Sequence, residues 1–340
     1  MIHSLVWVFW LLMVMVFILS TRNPIYLGTL LTSLFILGHH LSHTKKIKNW
    51  MLPNLRFLLT MIFLSTVINS LFSHVGQEVV FTVPQQWPLI GGKITLEGLV
   101  YGALNGLVIG ALYILFNIIN LALNVKQITR MIPRAFHPIA MSITIALTFF
   151  PSIQKRAQEI KEAQMIRGNP MKKISDWLPI FIPLLVTSLE NAFLLAESMT
   201  ARGFHKQTDL RTPKNLISLI LGGFAFFSGW VLQLYRYPRA ISLVLYAFGA
   251  GLILLTLYIA GKSSQVTRYH QERWKPADMI MAFLIALCLF GFIYLKWAHR
   301  LHSLNYSPYP HLICPTIQVM GLFFSLLPLI PILGRQHDKN

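Results

Sequence analysis

Residues 95–123 read TLEGLVYGALNGLVIGALYILFNIINLAL, twenty-nine residues with one charge, Glu97. As a helix rising about 1.5 Å per residue, this stretch reaches about 43 Å. The hydrocarbon core of a bilayer is about 30 Å thick. The stretch is therefore long enough and apolar enough to cross a membrane. Thr95 and Glu97 stand at its start. There a hydroxyl and a carboxylate can serve the free N–H groups of the first turn, so capping explains both. Gly98, Gly102, Gly106 and Gly110 recur every four residues and so share one face. Small residues at that spacing let two helices approach closely, so this face is expected to pack against another helix.

Seven further runs have the same character: 4–20, 24–41, 55–73, 216–235, 240–260, 277–298 and 312–333. The first has the look of a signal peptide, but no small-residue cleavage pattern follows it, and it is expected to remain as a helix. Over 340 residues, 55% belong to the apolar set and only 12% are charged. A soluble domain carries about 25% charged residues. The net charge is +18. Disorder is excluded by the hydrophobicity. A soluble nucleic-acid binder is disfavoured, because so much apolar surface cannot all be hidden in one core of this size. The expected fold is an all-α integral membrane protein with about eight transmembrane helices and an interfacial arm. Its expected parts are membrane helices in 1–123, a water-facing arm in 124–215 and membrane helices in 216–340. Cys288 and Cys314 lie in or beside apolar runs, and their spacing suggests neither a metal site nor a disulfide framework.

A ninth run, His137 to Phe150, is shorter and lies between Pro138 and Pro151. It is expected to be a helix lying at the membrane interface or partly embedded, closed by Pro151. Charge counting agrees. With eight spans and the amino terminus inside, 23 of the 29 Lys and Arg residues fall on one side. The other side holds Arg22, Lys93, Arg236, Arg239, Lys296 and Arg300. Basic residues accumulate on the cytoplasmic side of membrane proteins. The amino terminus, the arm and the carboxy terminus are thus expected in the cytoplasm, and the protein in the cell membrane.

Between Gln154 and Asn215 there are ten basic residues and six of the eleven acids. Two helices are expected here. In 152–167, Ile153, Ala157, Ile160 and Ala163 share a face, and Lys155 and Glu159 sit one turn apart. In 176–202, Asp176 is a candidate N-cap, and Phe181, Leu185, Leu189, Ala192, Ala196 and Met199 form an apolar stripe. Glu190, Asn191 and Glu197 would lie in hydrocarbon if this helix crossed the bilayer, at a few kcal/mol per charge. It is therefore expected to be amphipathic and to lie against the membrane helices. The two helices end alike, in Ile166-Arg167-Gly168 and Ala201-Arg202-Gly203. Glycine just past a helix adopts the left-handed cap, and arginine complements the carbonyl end of the dipole. Capping alone accounts for one such end. Two in one segment, 35 residues apart, suggest a pair of guanidiniums held for a bidentate grip on a partner's carboxylates.

At these residues the chain resembles the transmembrane T component of energy-coupling factor (ECF) transporters, the family that includes the cobalt-transport permease subunit. Arg167-Gly168 and Ala201-Arg202-Gly203 match its paired Ala-Arg-Gly motifs. Supporting matches are Arg22-Asn23-Pro24, Asn69 to Phe72, Gly76, Ile94 to Leu99 with Tyr101-Gly102, Phe149-Phe150-Pro151, Glu162-Ala163-Gln164, Pro179 and Pro183-Leu184-Leu185. The likeness covers about 20–215. Ile166 stands where Ala is usual, and four spans follow the second motif where one is common. Trp274 to Asp278 resembles the start of that usual last helix, which would make 216–260 an inserted hairpin and 312–333 an extra span.

The resemblance implies a non-catalytic scaffold for micronutrient uptake, of a vitamin or a metal ion. Two ATP-binding-cassette ATPases would dock on the arm through Arg167, Gly168, Ala201, Arg202 and Gly203. A small substrate-binding membrane subunit would be held by the membrane helices. No cofactor is implied for this chain beyond the ATP its partners bind, and it has no Gly-x-x-x-x-Gly-Lys-Ser/Thr run of its own.

Two rivals remain at this level. Glu162, Ala163 and Gly168 also fit the coupling loop of a conventional ATP-binding-cassette permease. Clustered His39, His40 and His43, or His299 with His302, would suit a membrane-embedded enzyme. Neither histidine group has a nearby acid, and a solvated patch is the simpler reading of the first.

Overall fold

In the computed structural model, the residues described are 2–73, 75–83, 92–168, 174–203, 213–235, 238–263, 274–298, 300–309 and 312–332. They are almost entirely helical. In chain order they form α1 (Ser4–Ser20), α2 (Pro24–Thr44), α3 (Met51–Phe72), β1 (Val79–Val83), β2 (Gly92–Thr95), α4 (Leu96–Ala122), α5 (Val125–Arg130), α6 (His137–Ile166), α7 (Leu178–Ala201), α8 (Pro213–Leu234), α9 (Arg239–Ser263), α10 (Pro276–Trp297) and α11 (Val319–Leu326). Seven of these helices are long and apolar enough to cross a membrane: α2, α3, α4, α7, α8, α9 and α10. The chain is an all-α membrane protein. It divides into two compact units, Met1–Gln127 with Gln271–Asn340, and Ile128–His270.

In the first unit, α4 packs on α3 along the glycine face. A Cβ on Gly102 would lie 2.7 Å from the Thr66 Cα. One on Gly106 would lie 2.5 Å from the Ile62 Cα and 2.8 Å from the Met61 carbonyl oxygen. Backbone meets backbone there, as the spacing predicts. Above this seam the chain turns through an antiparallel β1–β2 hairpin, and its return is pinned from below. Thr95 caps α4, its Oγ1 accepting from the Gly98 N–H (3.3 Å) and donating to the Val75 carbonyl (2.8 Å). Glu97 does more than capping foresees. Its side chain is fully buried, and Oε1 accepts from the N–H groups of Gln77 (2.9 Å) and Glu78 (3.1 Å), twenty residues back. Gly76 leaves room for this carboxylate, since a Cβ there would lie 2.6 Å from its Oε2.

The carboxy-terminal run departs from expectation. Residues 312–318 are not helical, and α11 with the 3-10 turn after it (Leu327–Leu329) is too short to be a span. The reason is visible in the polar groups. Polar side chains at the start of α2 hold this part of the chain: the Asn23 amide donates to the carbonyls of Ser303 (2.9 Å) and Thr316 (3.0 Å). The Gln318 N–H donates to the Tyr26 hydroxyl (2.7 Å), which also bonds the Ser303 hydroxyl (2.8 Å). Lower down, Thr29 donates to Ser325 (2.8 Å), and the Trp10 indole donates to the Pro328 carbonyl (3.1 Å). The segment is fixed along α1 and α2 by side chains rather than by its own helical bonds. A run of apolar residues reads the same way whether it spans or docks. The run 4–20 forms α1, seventeen residues long and largely buried.

Two expectations for the second unit need correction. Pro151 does not end a helix: α6 runs through it for 30 residues. Proline removes one backbone bond and crowds the preceding turn, yet the remaining bonds of the helix carry it through. Asp176 does not cap α7. It lies in a 3-10 turn (Ile174–Trp177), and Trp177 holds the cap position without a side-chain bond. α7 has the length and hydropathy of a membrane-crossing helix, as its sequence shows, and carries two glutamates. In the same unit α8 and α9 form a helical hairpin, as the runs 216–235 and 240–260 predict. It closes at Gly222, Gly229 and Gly249, with a Ser218–Thr256 hydroxyl bond of 2.7 Å.

Candidate functional site

The two Arg-Gly ends fold alike. Arg167 caps α6 at φ −75°, ψ 3°, and its N–H donates to the Ala163 carbonyl (3.2 Å). Arg202 caps α7 at φ −82°, ψ 7°, and its N–H donates to the Ser198 carbonyl (3.3 Å). Ala201 is the last helical residue before it. Gly168 and Gly203 follow in the left-handed region, at φ +83° and +76°. Their N–H groups reach back to Met165 (3.0 Å) and Thr200 (2.9 Å). A residue with a Cβ pays a steric penalty of about 1–2 kcal/mol in that conformation. The sequence expectation of two glycine-capped helices holds in detail.

The side chains decide what the ends can do. Arg167 and Arg202 are exposed, and neither guanidinium bonds another described residue. They do not turn back onto their own helix carbonyls, which is what capping alone would ask of them. Among the described residues beyond the chain neighbours, no atom lies within 4 Å of where a Cβ on Gly168 or Gly203 would be. Ile166, in place of the usual Ala, is 89% exposed. Two planar, permanently charged forks on rigid helix ends can grip carboxylates bidentately.

α6 and α7 pack on each other, and the outer faces remain bare. On α6, Lys155 and Glu159 pair at 4.0 Å as the one-turn spacing predicts. On α7 the expected stripe exists but is uncovered: Phe181 is 61% exposed, and Leu185 and Leu189 are exposed as well. Ile182, Val186, Phe193 and Leu194 are also exposed, on faces the stripe did not include. Reading one face missed them because helix periodicity ranks one side, while α7 is apolar on most sides.

His39, His40 and His43 are exposed around the end of α2. Among the described residues, no three His, Cys, Asp or Glu side chains converge to hold a metal ion. His302 begins a 3-10 turn, and His299 lies outside the described residues.

A match to the CbiQ family, described as cobalt transport protein, runs over residues 3–214 and so takes in both Arg-Gly ends. The chain belongs to this cobalt transport protein family. Several similar proteins bear the name energy-coupling factor transporter transmembrane protein EcfT. That of Acidaminococcus fermentans is 43% identical over 72 residues, 19% of this chain and 27% of the relative. That of Lactococcus lactis subsp. cremoris is 29% identical over 204 residues, 53% of this chain and 70% of the relative. That of Ruminiclostridium cellulolyticum is 27% identical over 243 residues, 65% of this chain and 86% of the relative. The first of these matches spans about a quarter of that relative's length. The protein is thus a multi-pass membrane protein of this family. All but the first two residues of the α8–α9 hairpin, and everything after it, lie beyond the family match.

Proposed function

We propose that this protein is the non-catalytic membrane scaffold of an energy-coupling factor importer that takes up a micronutrient, a vitamin or a metal ion. The observation that carries the reading is the pair of matched helix ends, with Arg167 and Arg202 exposed and unbonded among the described residues. In this reading each arginine docks in a carboxylate-bearing groove of one of two ATP-binding-cassette ATPases. Gly168 and Gly203 hold the turn, and Ala201 lets the partner's surface come close. The exposed apolar residues of α7 are covered by a small substrate-binding membrane subunit, by lipid, or by each in turn. ATP closure moves the ATPases, the arms follow, and the membrane subunit is reoriented.

The division of labour follows the sequence: membrane helices in 1–123, the coupling arm in 124–215 and further membrane helices in 216–340. The amino terminus, the arm and the carboxy terminus face the cytoplasm, because 23 of 29 basic residues then lie there. The chain hydrolyses nothing itself.

Purification from the native membrane in mild detergent tests this. The expected result is copurification of two ATPase chains and one small hydrophobic protein. Copurification of ATPases together with dependence on an external binding protein would instead indicate a conventional permease.

A further inference from the structure

The α2–α3 turn combines charge, rigidity and exposed apolar surface in a way the transport reading does not use. His39, His40, His43, Lys45, Lys46 and Lys48 all lie exposed within ten residues. No aspartate or glutamate occurs anywhere before Glu78. A basic loop that only orients a membrane chain needs no fixed shape. This one has one. Lys46 (φ 56°) and Asn49 (φ 61°) are the only non-glycine residues with left-handed backbone among those described, and both are in this turn. Such conformations persist only where the surroundings impose them, and they concentrate at functional sites.

Lys46 occupies the position after a helix where glycine is usual. The Ile47 N–H donates to the Ser42 carbonyl (3.0 Å) and the Lys46 N–H to the His43 carbonyl (3.2 Å), closing that cap. Beneath it Trp50 is clamped. Its ring lies against Gly38 so closely that any Cβ there would overlap it. Its indole donates to Asn117 Oδ1 (3.0 Å), whose amide donates to Asn54 Oδ1 (3.0 Å), whose amide donates back to the Trp50 carbonyl (2.6 Å).

Exposed apolar side chains share the turn: Ile47, Met51 and Leu52. α2 is 21 residues long, about 31 Å, so the lysines just past its end fall at headgroup depth. We propose that the α2–α3 turn is a binding site for the phosphate headgroup of an anionic phospholipid, with the lysines on the phosphate and Ile47, Met51 and Leu52 against the upper acyl chains. Charge complementarity and depth select lipid over an acidic protein, which would leave those apolar side chains without a match.

The test uses the whole purified protein, delipidated and offered equal amounts of phosphatidylglycerol and phosphatidylcholine of the same chain length. Retained lipid is read by native mass spectrometry. Wild type should prefer phosphatidylglycerol by about tenfold or more. Lys46→Gly suits the left-handed backbone and removes one charge. It should weaken the preference by about fivefold, the worth of one lysine near an anionic surface, while melting no lower than wild type. Lys45→Gln with Lys46→Gly and Lys48→Gln should abolish the preference. Lys155→Gln with Arg156→Gln and Lys161→Gln should keep it. An unchanged preference in the turn variants, equal loss in the α6 variant, or full displacement of the lipid by millimolar inorganic phosphate would overturn the proposal.

Discussion

Replacing Arg167 and Arg202 together with Glu is expected to abolish uptake and strip the ATPases from the purified complex, while the membrane chain itself remains folded. Both side chains are exposed and bond nothing described, so their loss costs the isolated chain little. The partner's carboxylates would meet like charge. Losing one desolvated charge contact costs about 2 kcal/mol or more, and two contacts made to two different ATPases share no partner and so add. Together about 4 kcal/mol corresponds to roughly a thousandfold weaker association. Each single variant should lose about thirtyfold. Lys155→Gln, whose ammonium already pairs with Glu159 on the same helix, should leave association unchanged. Retained ATPase in the double variant, scored by copurification at matched expression, would refute the role of the two arginines.

Gly106→Leu is expected to cost about 3 kcal/mol or more and to remove most folded protein. The new side chain would have to displace the α3 backbone at Met61 and Ile62, and backbone cannot swing aside as a side chain can. Gly223→Leu makes the matched control. It lies in α8 with no atom within 4 Å of a Cβ, and in a helix leucine is favoured over glycine by several tenths of a kcal/mol. Thermal melting of the two variants in the same detergent should therefore move in opposite directions, or only for Gly106.

The features visible in the sequence were the ones written locally. The four-residue glycine spacing named the α3-facing side of α4 because helix geometry turns spacing directly into a face. Arg167-Gly168 and Arg202-Gly203 named two left-handed caps because only glycine takes that backbone readily. What escaped was set by distant partners. Pro151 is expected to stop a helix, and α6 runs through it. Residues 312–333 were expected to cross, yet Asn23 and Tyr26, nearly three hundred residues earlier, hold 316–318 extended. Glu97 read as a cap, but its hydrogen bonds go to Gln77 and Glu78. No local pattern encodes a carboxylate's choice among backbone donors. The exposure of Arg167 and Arg202 likewise became visible only once the helix ends had shape.

The scaffold reading turns on what touches those ends in the assembled membrane complex. A photo-crosslinking amino acid placed at Ile166, and separately at Ala201, measures that without perturbing either arginine. Irradiation in native membranes should join both positions to an ATP-binding-cassette ATPase, and the yield should change when ATP is supplied. Crosslinks from both positions to lipid alone, with none to an ATPase in either nucleotide state, would contradict it.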